Sequence, residues 1–354
     1  MAMAAEAGIT AGDRQGRARV VTWMLAGLFV LTAALSLTQG AAEASVAAVL
    51  RDWTGGAEAP LRDMVIVRDI RLPRLALGAL IGASLAVSGA LMQGLFRNPL
   101  ADPGLVGVSS GAGLGAIVAI VLGGSLPWLS RIAGIYTVPF AAFLGGWAAV
   151  LILYRVATRA GRTSVATMLL AGIALGALAG AFSGLLVFKA DDQQLRDLTF
   201  WGLGSLAGAT WVKVAAAGPL IALVLMAAPL LGPHLDRLSL GEAAALHMGV
   251  PVQVVKRWTI LAVAAATGAA VAVAGAIGFV GIVVPHLLRL AIGPGHRSLL
   301  PAAAWLGATL LIAADMISRS VIAPAELPIG IVTAAIGAPV FLWILLRNRG
   351  VVDL

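Results

Sequence analysis

Few side chains in this sequence are placed to do covalent chemistry. A phosphate-cradling loop needs Gly-x-x-x-x-Gly-Lys followed by Ser or Thr. The lysines are Lys189, Lys213 and Lys256; none follows a glycine and none precedes Ser or Thr. The chain therefore has no ATP site of its own of the Walker type. The 4 histidines, His234, His247, His286 and His296, show no pair at helical ligand spacing. No His-Glu-x-x-His occurs, so nothing points to a zinc hydrolase. Cysteine is absent, which excludes disulfides and thiolate metal sites. The site residues predicted here are thus neither catalytic nor metal-ligating.

A second kind of chemistry is proton transfer inside apolar segments. His286 and Arg289 lie in a short element, Gly278 to Leu290, broken by Pro285. Asp315 lies late in an apolar run, and Glu326 follows it. Ionisable groups at such positions are functional candidates by default. They would suit a proton-driven secondary transporter. The ordinary alternative is that they sit near helix ends or satisfy one another. An intramembrane enzyme is a third reading, since a residue list does not exclude a Ser–His–Asp set.

The elements that must position these groups are apolar. The chain of 354 residues is 60% hydrophobic and 11% charged, with a mean hydropathy of +0.99. A soluble protein carries about 25% charged residues. Apolar runs recur along the whole length, so the bilayer is the first partner. The net charge of +8 does not indicate nucleic acid, because the arginines stand between apolar runs. The pattern predicts an all-α, polytopic membrane protein of one domain, residues 1–354, with about ten transmembrane helices. Residues 1–19 read as a cytoplasmic leader, and residues 232–257 as a long cytoplasmic loop.

The stretch Arg71 to Gly115 organises the chain. Gly78, Gly82, Ala86, Ala90 and Gly94 recur every fourth residue and form one smooth ridge on a span from Leu75 to Phe96. Arg97-Asn98-Pro99 to Pro103-Gly104 is a turn. A second ridge follows, Gly107, Gly111 and Gly115. Further spans are predicted near 20–37, 133–156, 167–188, 212–231, 258–275, 278–290, 300–318 and 327–346. Gly40 to Asp69 reads as an outer loop and Leu198 to Ala207 as a short re-entrant or interfacial helix. Ser239 and Glu242 have the spacing of a capping box. Arg155, Arg159, Arg162, Arg347 and Arg349 place the ends of two spans inside, so both termini are cytoplasmic. The same topology leaves ten of the 24 basic residues outside, Arg131 among them, which suggests docking of an acidic partner.

RLPR followed by SGALMQGLFRNPLADPGLVGVSSGAG closely resembles the permease subunits of ATP-driven importers for ferric siderophores, heme and vitamin B12. GAIGFVGIVVPHLLRLAIGPGHRSLLP and AELPIGIVTAAIGAPVFLWILLR resemble signature segments of the same family. The likeness runs from Leu72 to Arg347. It implies the type II ABC importer permease fold and a homodimer in the bacterial inner membrane. It also implies two cytoplasmic ATPases, which hold ATP and magnesium, and a periplasmic binding protein. No cofactor is expected on this chain. By the same resemblance Arg71, Arg74 and Arg319 dock the binding protein. Gly241, Glu242, Ala243, Ala244 and Gly249 form the coupling loop for the ATPase. Gly172, Gly176, Gly180 and Gly184 line the pathway or dimer contact. Ser164, Val165, Ala166 and Thr167 stand at the inner gate, where Val165 and Ala166 depart from the Thr and Ser of the vitamin B12 permease. LRDLTFWGLGSLAGATW resembles heme permeases within the family.

Overall fold

The structure is a computed structural model and describes residues 11–40, 42–125 and 134–347. Arg131, Arg349 and the first ten residues of the leader lie outside the described residues. Helix α1 spans Ala11–Thr38, α2 Val46–Trp53 and α3 Leu61–Val65. A π-helical turn, Ile66–Arg71, joins α3 to α4, Leu72–Phe96. Then follow α5 Val108–Leu122, α6 Thr137–Ala157, α7 Val165–Lys189, α8 Asp192–Leu203 and α9 Trp211–Leu238. The last five are α10 Glu242–His247, α11 Val252–Ala274, α12 Val280–Ile292, α13 His296–Ser318 and α14 Ile329–Arg347. Among the described residues, seven helices are long and apolar enough to cross a membrane. Three shorter apolar helices, α5, α12 and α14, complete the ten crossings that the sequence predicts.

Helix α4 is the axis of the bundle, and its small-residue ridge explains why. A Cβ on Gly82 would strike the carbonyl of Gly307 on α13, and one on Gly307 would strike that of Gly82. Gly89 meets the carbonyl of Gly281 at the start of α12 in the same way. Lipid tails are as apolar as leucine, so burial of apolar area does little to hold helices together there. Close backbone approach and dispersion do that work instead. The second ridge acts likewise: Gly111 and Gly145 face each other across α5 and α6.

The predicted elbow forms as a tight turn. Arg97 adopts a left-handed conformation (φ 52°) and ends α4. Asp102 accepts from the Gly104 amide at 2.7 Å and starts a short 3-10 turn.

Several boundaries differ from the sequence reading, each for a local reason. The 232–257 loop is shorter than predicted. Helix α9 runs on to Leu238 through Pro219, Pro229 and Pro233, and α11 already begins at Val252. Neighbouring helices in a membrane bundle tolerate such prolines. Ser239 does not cap α10. Gly241 stands at that position, Ser239 donates to the Asp236 carbonyl, and the capping box is absent. A capping box does form on α8, between Asp191 and Gln194, so the short helix predicted from Leu198 begins earlier, at Asp192. Gly40 to Asp69 carries α2 and α3 instead of a plain loop.

Candidate functional site

The bundle has two polar ends. The arginine end gathers the C-termini of α1 and α13 with the N-terminus of α4. Arg74 is buried and donates through Nε to both oxygens of Asp315, at 2.9 and 3.0 Å. Its Nη1 reaches Glu326 Oε1 at 2.8 Å. Arg319 donates to the Ser36 and Gln39 carbonyls at 2.9 and 3.0 Å. Arg71 donates to the carbonyls of Leu37, Thr38 and Ala42. A helix leaves its last four carbonyls without internal partners. Here Arg71 and Arg319 supply partners for those of α1, and their charge suits the negative end of its dipole. Burial pulls the Arg319 guanidinium below its usual value, and Asp315 opposes that shift.

These contacts assign three sequence candidates. Arg71, Arg74 and Arg319 come together, but all three are buried and turned into the chain. Asp315 sits at a helix end and is satisfied by Arg74, not by His286. His286 Nε2 is buried without a hydrogen-bond partner among the described residues.

The elbow end carries the other candidates. Thr158–Arg159 (β1) and Arg162–Thr163 (β2) form a small antiparallel hairpin between α6 and α7. Ala160 and Gly161, both at positive φ, make its two-residue turn. Ser164 then caps α7, its Oγ accepting from the Thr167 amide at 3.2 Å. Val165 is half-buried, while Ser164, Ala166 and Thr167 are exposed. Helix α10 stands beside the hairpin between two glycines at positive φ, Gly241 (107°) and Gly249 (77°). Leu240, Leu246 and Met248 around it are exposed.

The small-residue row on α7 is split. Gly172 is buried and Gly176 lies against Ser110, but a Cβ on Gly180 or Gly184 would meet nothing within 4 Å. The same helix exposes Leu170, Ile173, Phe182, Leu185 and Phe188.

Two polar groupings are not visible in the sequence. Asp236 on α9 accepts from the His296 backbone amide at 2.8 Å and pairs with its Nδ1 at 2.7 Å. Lys256 Nζ lies 2.7 Å from both Glu242 Oε1 and the Thr163 carbonyl. Each joins residues far apart in the chain, and only the charge of the partners hinted at them. One string, Gly107-Val108-Ser109-Ser110-Gly111, has the Gly-x-Ser-x-Gly pattern of hydrolases. It opens α5 after a 3-10 turn, with no strand before it, so it lacks the strand-turn-helix context of a nucleophile elbow.

Among the described residues, a helical bundle of ten apolar crossings with buried charge gathered at its two ends has the architecture of a multi-pass membrane permease. The chain belongs to the FecCD transport family, whose model matches residues 28–347. It is thus a permease subunit of the ABC-importer class. It is 48% identical over 281 residues to the hemin transport system permease protein HmuU of Yersinia pestis, covering 79% of this chain and 83% of that one. It is 41% identical over 341 residues to the vitamin B12 import system permease protein BtuC of Salmonella typhi, covering 95% and 98%. Among solved structures, one described as an inward-facing conformation of a metal-chelate type ABC transporter superposes with a TM-score of 0.82 at 31% identity. That match covers 93% of this chain and 99% of the other.

Proposed function

We propose that this chain is the membrane-spanning subunit of an ATP-driven importer of heme across the bacterial inner membrane. In this reading it works as a homodimer with two cytoplasmic ATPases and receives heme from a periplasmic binding protein. ATP and magnesium belong to the ATPases, and this chain holds no cofactor. The elbow end faces the cytoplasm, as do both termini, and the arginine end faces the periplasm. The resemblance of LRDLTFWGLGSLAGATW to heme permeases supports the choice of heme, and the identity with HmuU agrees with it.

One observation carries the coupling part: a six-residue helix, α10, bounded by two glycines and ringed by exposed Leu240, Leu246 and Met248. Exposed apolar groups beside arginines at a bundle end fit a protein groove better than water. Gly241, Glu242, Ala243, Ala244 and Gly249 are the coupling residues in this reading. Ser164, Val165, Ala166 and Thr167 form the inner gate. Gly180 and Gly184, open within one chain, face the second copy or the pathway; Gly172, buried in its own chain, and Gly176, against Ser110, pack within the chain instead. Docking of the binding protein by Arg71, Arg74 and Arg319 belongs to the same proposal. It requires these arginines to exchange chain-internal acceptors for carboxylates of the partner. Asp315 and Glu326, which a proton-driven carrier would need free, are both held by Arg74.

The test is uptake by proteoliposomes holding the permease and its ATPase, supplied with the binding protein loaded with heme, a ferric siderophore or cobalamin. ATP-dependent accumulation of heme above the other two is the expected result. Uptake driven by a proton gradient without ATP overturns the importer reading, and preferred uptake of cobalamin overturns the substrate.

A further inference from the structure

We propose that Lys256 is the positioning residue that transmits movement of α10 to the start of α7; this rests on the importer reading above. Lys256 is 1% exposed, one of the largest fully buried side chains in the molecule. A buried ammonium is costly unless paired and hydrogen-bonded. A methionine would fill the same space without that cost, so packing alone does not explain a lysine here. The charge has two partners from separate elements. Glu242, the first residue of α10, stands 2.7 Å away, and so does the carbonyl of Thr163 at the end of the hairpin. One turn earlier on α11, Gln253 accepts from the Thr163 amide at 2.8 Å. Residues three apart on a helix share a face, so α11 grips both backbone polar groups of Thr163. The next residue, Ser164, is the cap of α7.

The route is therefore short: Glu242, the Lys256 ammonium, the Thr163 peptide, then the cap of α7. A cleft lined by Arg162, Glu242, Ala243, Leu246, Val252 and Gln253 opens between the hairpin and α10. The two elements thus have room to move relative to each other, while the single ammonium holds both. A push on α10 shifts Glu242 and with it the acceptor balance of Lys256. Coupling of this kind needs an element whose equilibrium both sites bias, and the Thr163–Ser164 junction is that element.

The test uses the complex of permease and ATPase in lipid nanodiscs. A single cysteine replaces Ala166, which is exposed, in a chain that has no other. Its thiol-labelling rate is read with and without ATP, beside heme uptake and ATPase stimulation by the loaded binding protein. Lys256→Met should keep the basal ATPase rate and the bound ATPase. It should lose the ATP-dependent change in labelling and about tenfold or more of the stimulation, within the usual range of coupling. Lys256→Arg, which can donate to both acceptors, should restore most of each. An unchanged ATP response in Lys256→Met overturns the proposal. If that variant fails to insert, Glu242→Ala decides, because it removes the α10 end of the route while Lys256 keeps the Thr163 carbonyl; an unchanged ATP response there overturns the proposal equally. A wild-type complex without ATP-driven uptake would instead sink the importer reading, and this inference with it.

Discussion

Arg74 and Asp315 lie 241 residues apart in sequence and meet side on at one end of the bundle, Nη2 standing 2.8 Å from Oδ1. Their side chains are 8% and 5% exposed. The pair ties the first turn of α4 to the last turn of α13, the same two helices whose Gly82 and Gly307 are in backbone contact. Breaking such a pair from one side leaves an uncompensated buried charge. Arg74→Leu should therefore cost about 3–5 kcal/mol. Arg74→Leu combined with Asp315→Leu should recover most of that loss. Unfolding in mixed micelles with increasing SDS measures both. Additive losses in the double variant would show that the pair is not coupled.

The glycine rows should separate into two classes. Gly82→Val drives a side chain into the Gly307 carbonyl and should destabilise the monomer by about 1–3 kcal/mol or more. The Cβ that Gly180→Val adds meets nothing within 4 Å among the described residues of the same chain. It should leave monomer stability within about 0.5 kcal/mol. Under the proposed assembly it should weaken dimer formation or slow uptake. Equal losses of monomer stability would mean that α7 packs within its own chain in a way the structure does not contain.

Orientation can be tested at one exposed position. A cysteine placed at His247 in this cysteine-free chain should react with an impermeant maleimide only from the cytoplasmic side. Labelling in intact spheroplasts would reverse the assignment of the elbow end.

The coupling surface is best tested at Leu246, which is 64% exposed. A bulky residue at Gly249 would first strain a backbone at φ 77°, where side chains are disfavoured, and so would mix two effects. Leu246→Asp leaves the backbone alone and places a charge on the apolar patch. It should reduce co-purification of the ATPase by about tenfold, the effect of about 1.4 kcal/mol. Insertion and thermal stability should stay as in the wild type. Undiminished co-purification would remove α10 from the interface.

Removing one arginine partner of α1 is a fifth change with a definite expectation. Arg319→Ala leaves the Ser36 and Gln39 carbonyls without their donor. Hydrogen bonds to a charged group contribute about 1.5–3 kcal/mol. The C-terminus of α1 should then become open to protease, because little of this helix is buried elsewhere. Protection equal to that of the wild type would show that Arg71 on the Leu37 and Thr38 carbonyls, with Phe29 on Trp305 (ring centroids 5.2 Å), suffices to hold it.

The order and number of crossings could be read from the sequence, because a bilayer imposes length and apolarity on each span separately. The ridges on α4 and α5 could be read too, since small residues at every fourth position have few other uses there. Their partners could not. Nothing in the spacing of Gly82 says that Gly307 lies opposite, because that depends on how two helices far apart in sequence cross. Helix ends were legible only where local chemistry sets them, as at the Arg97 elbow. They were missed where neighbours override it, as at the prolines of α9. The sequence located Arg71, Arg74, Arg319, Asp315 and Glu242 as charged residues flanking apolar runs. Only the tertiary structure decided that the arginines turn inward and that Glu242 shares Lys256 with the hairpin. Burial and pairing of a charge depend on which groups the fold brings within about 4 Å, and no local pattern carries that distance.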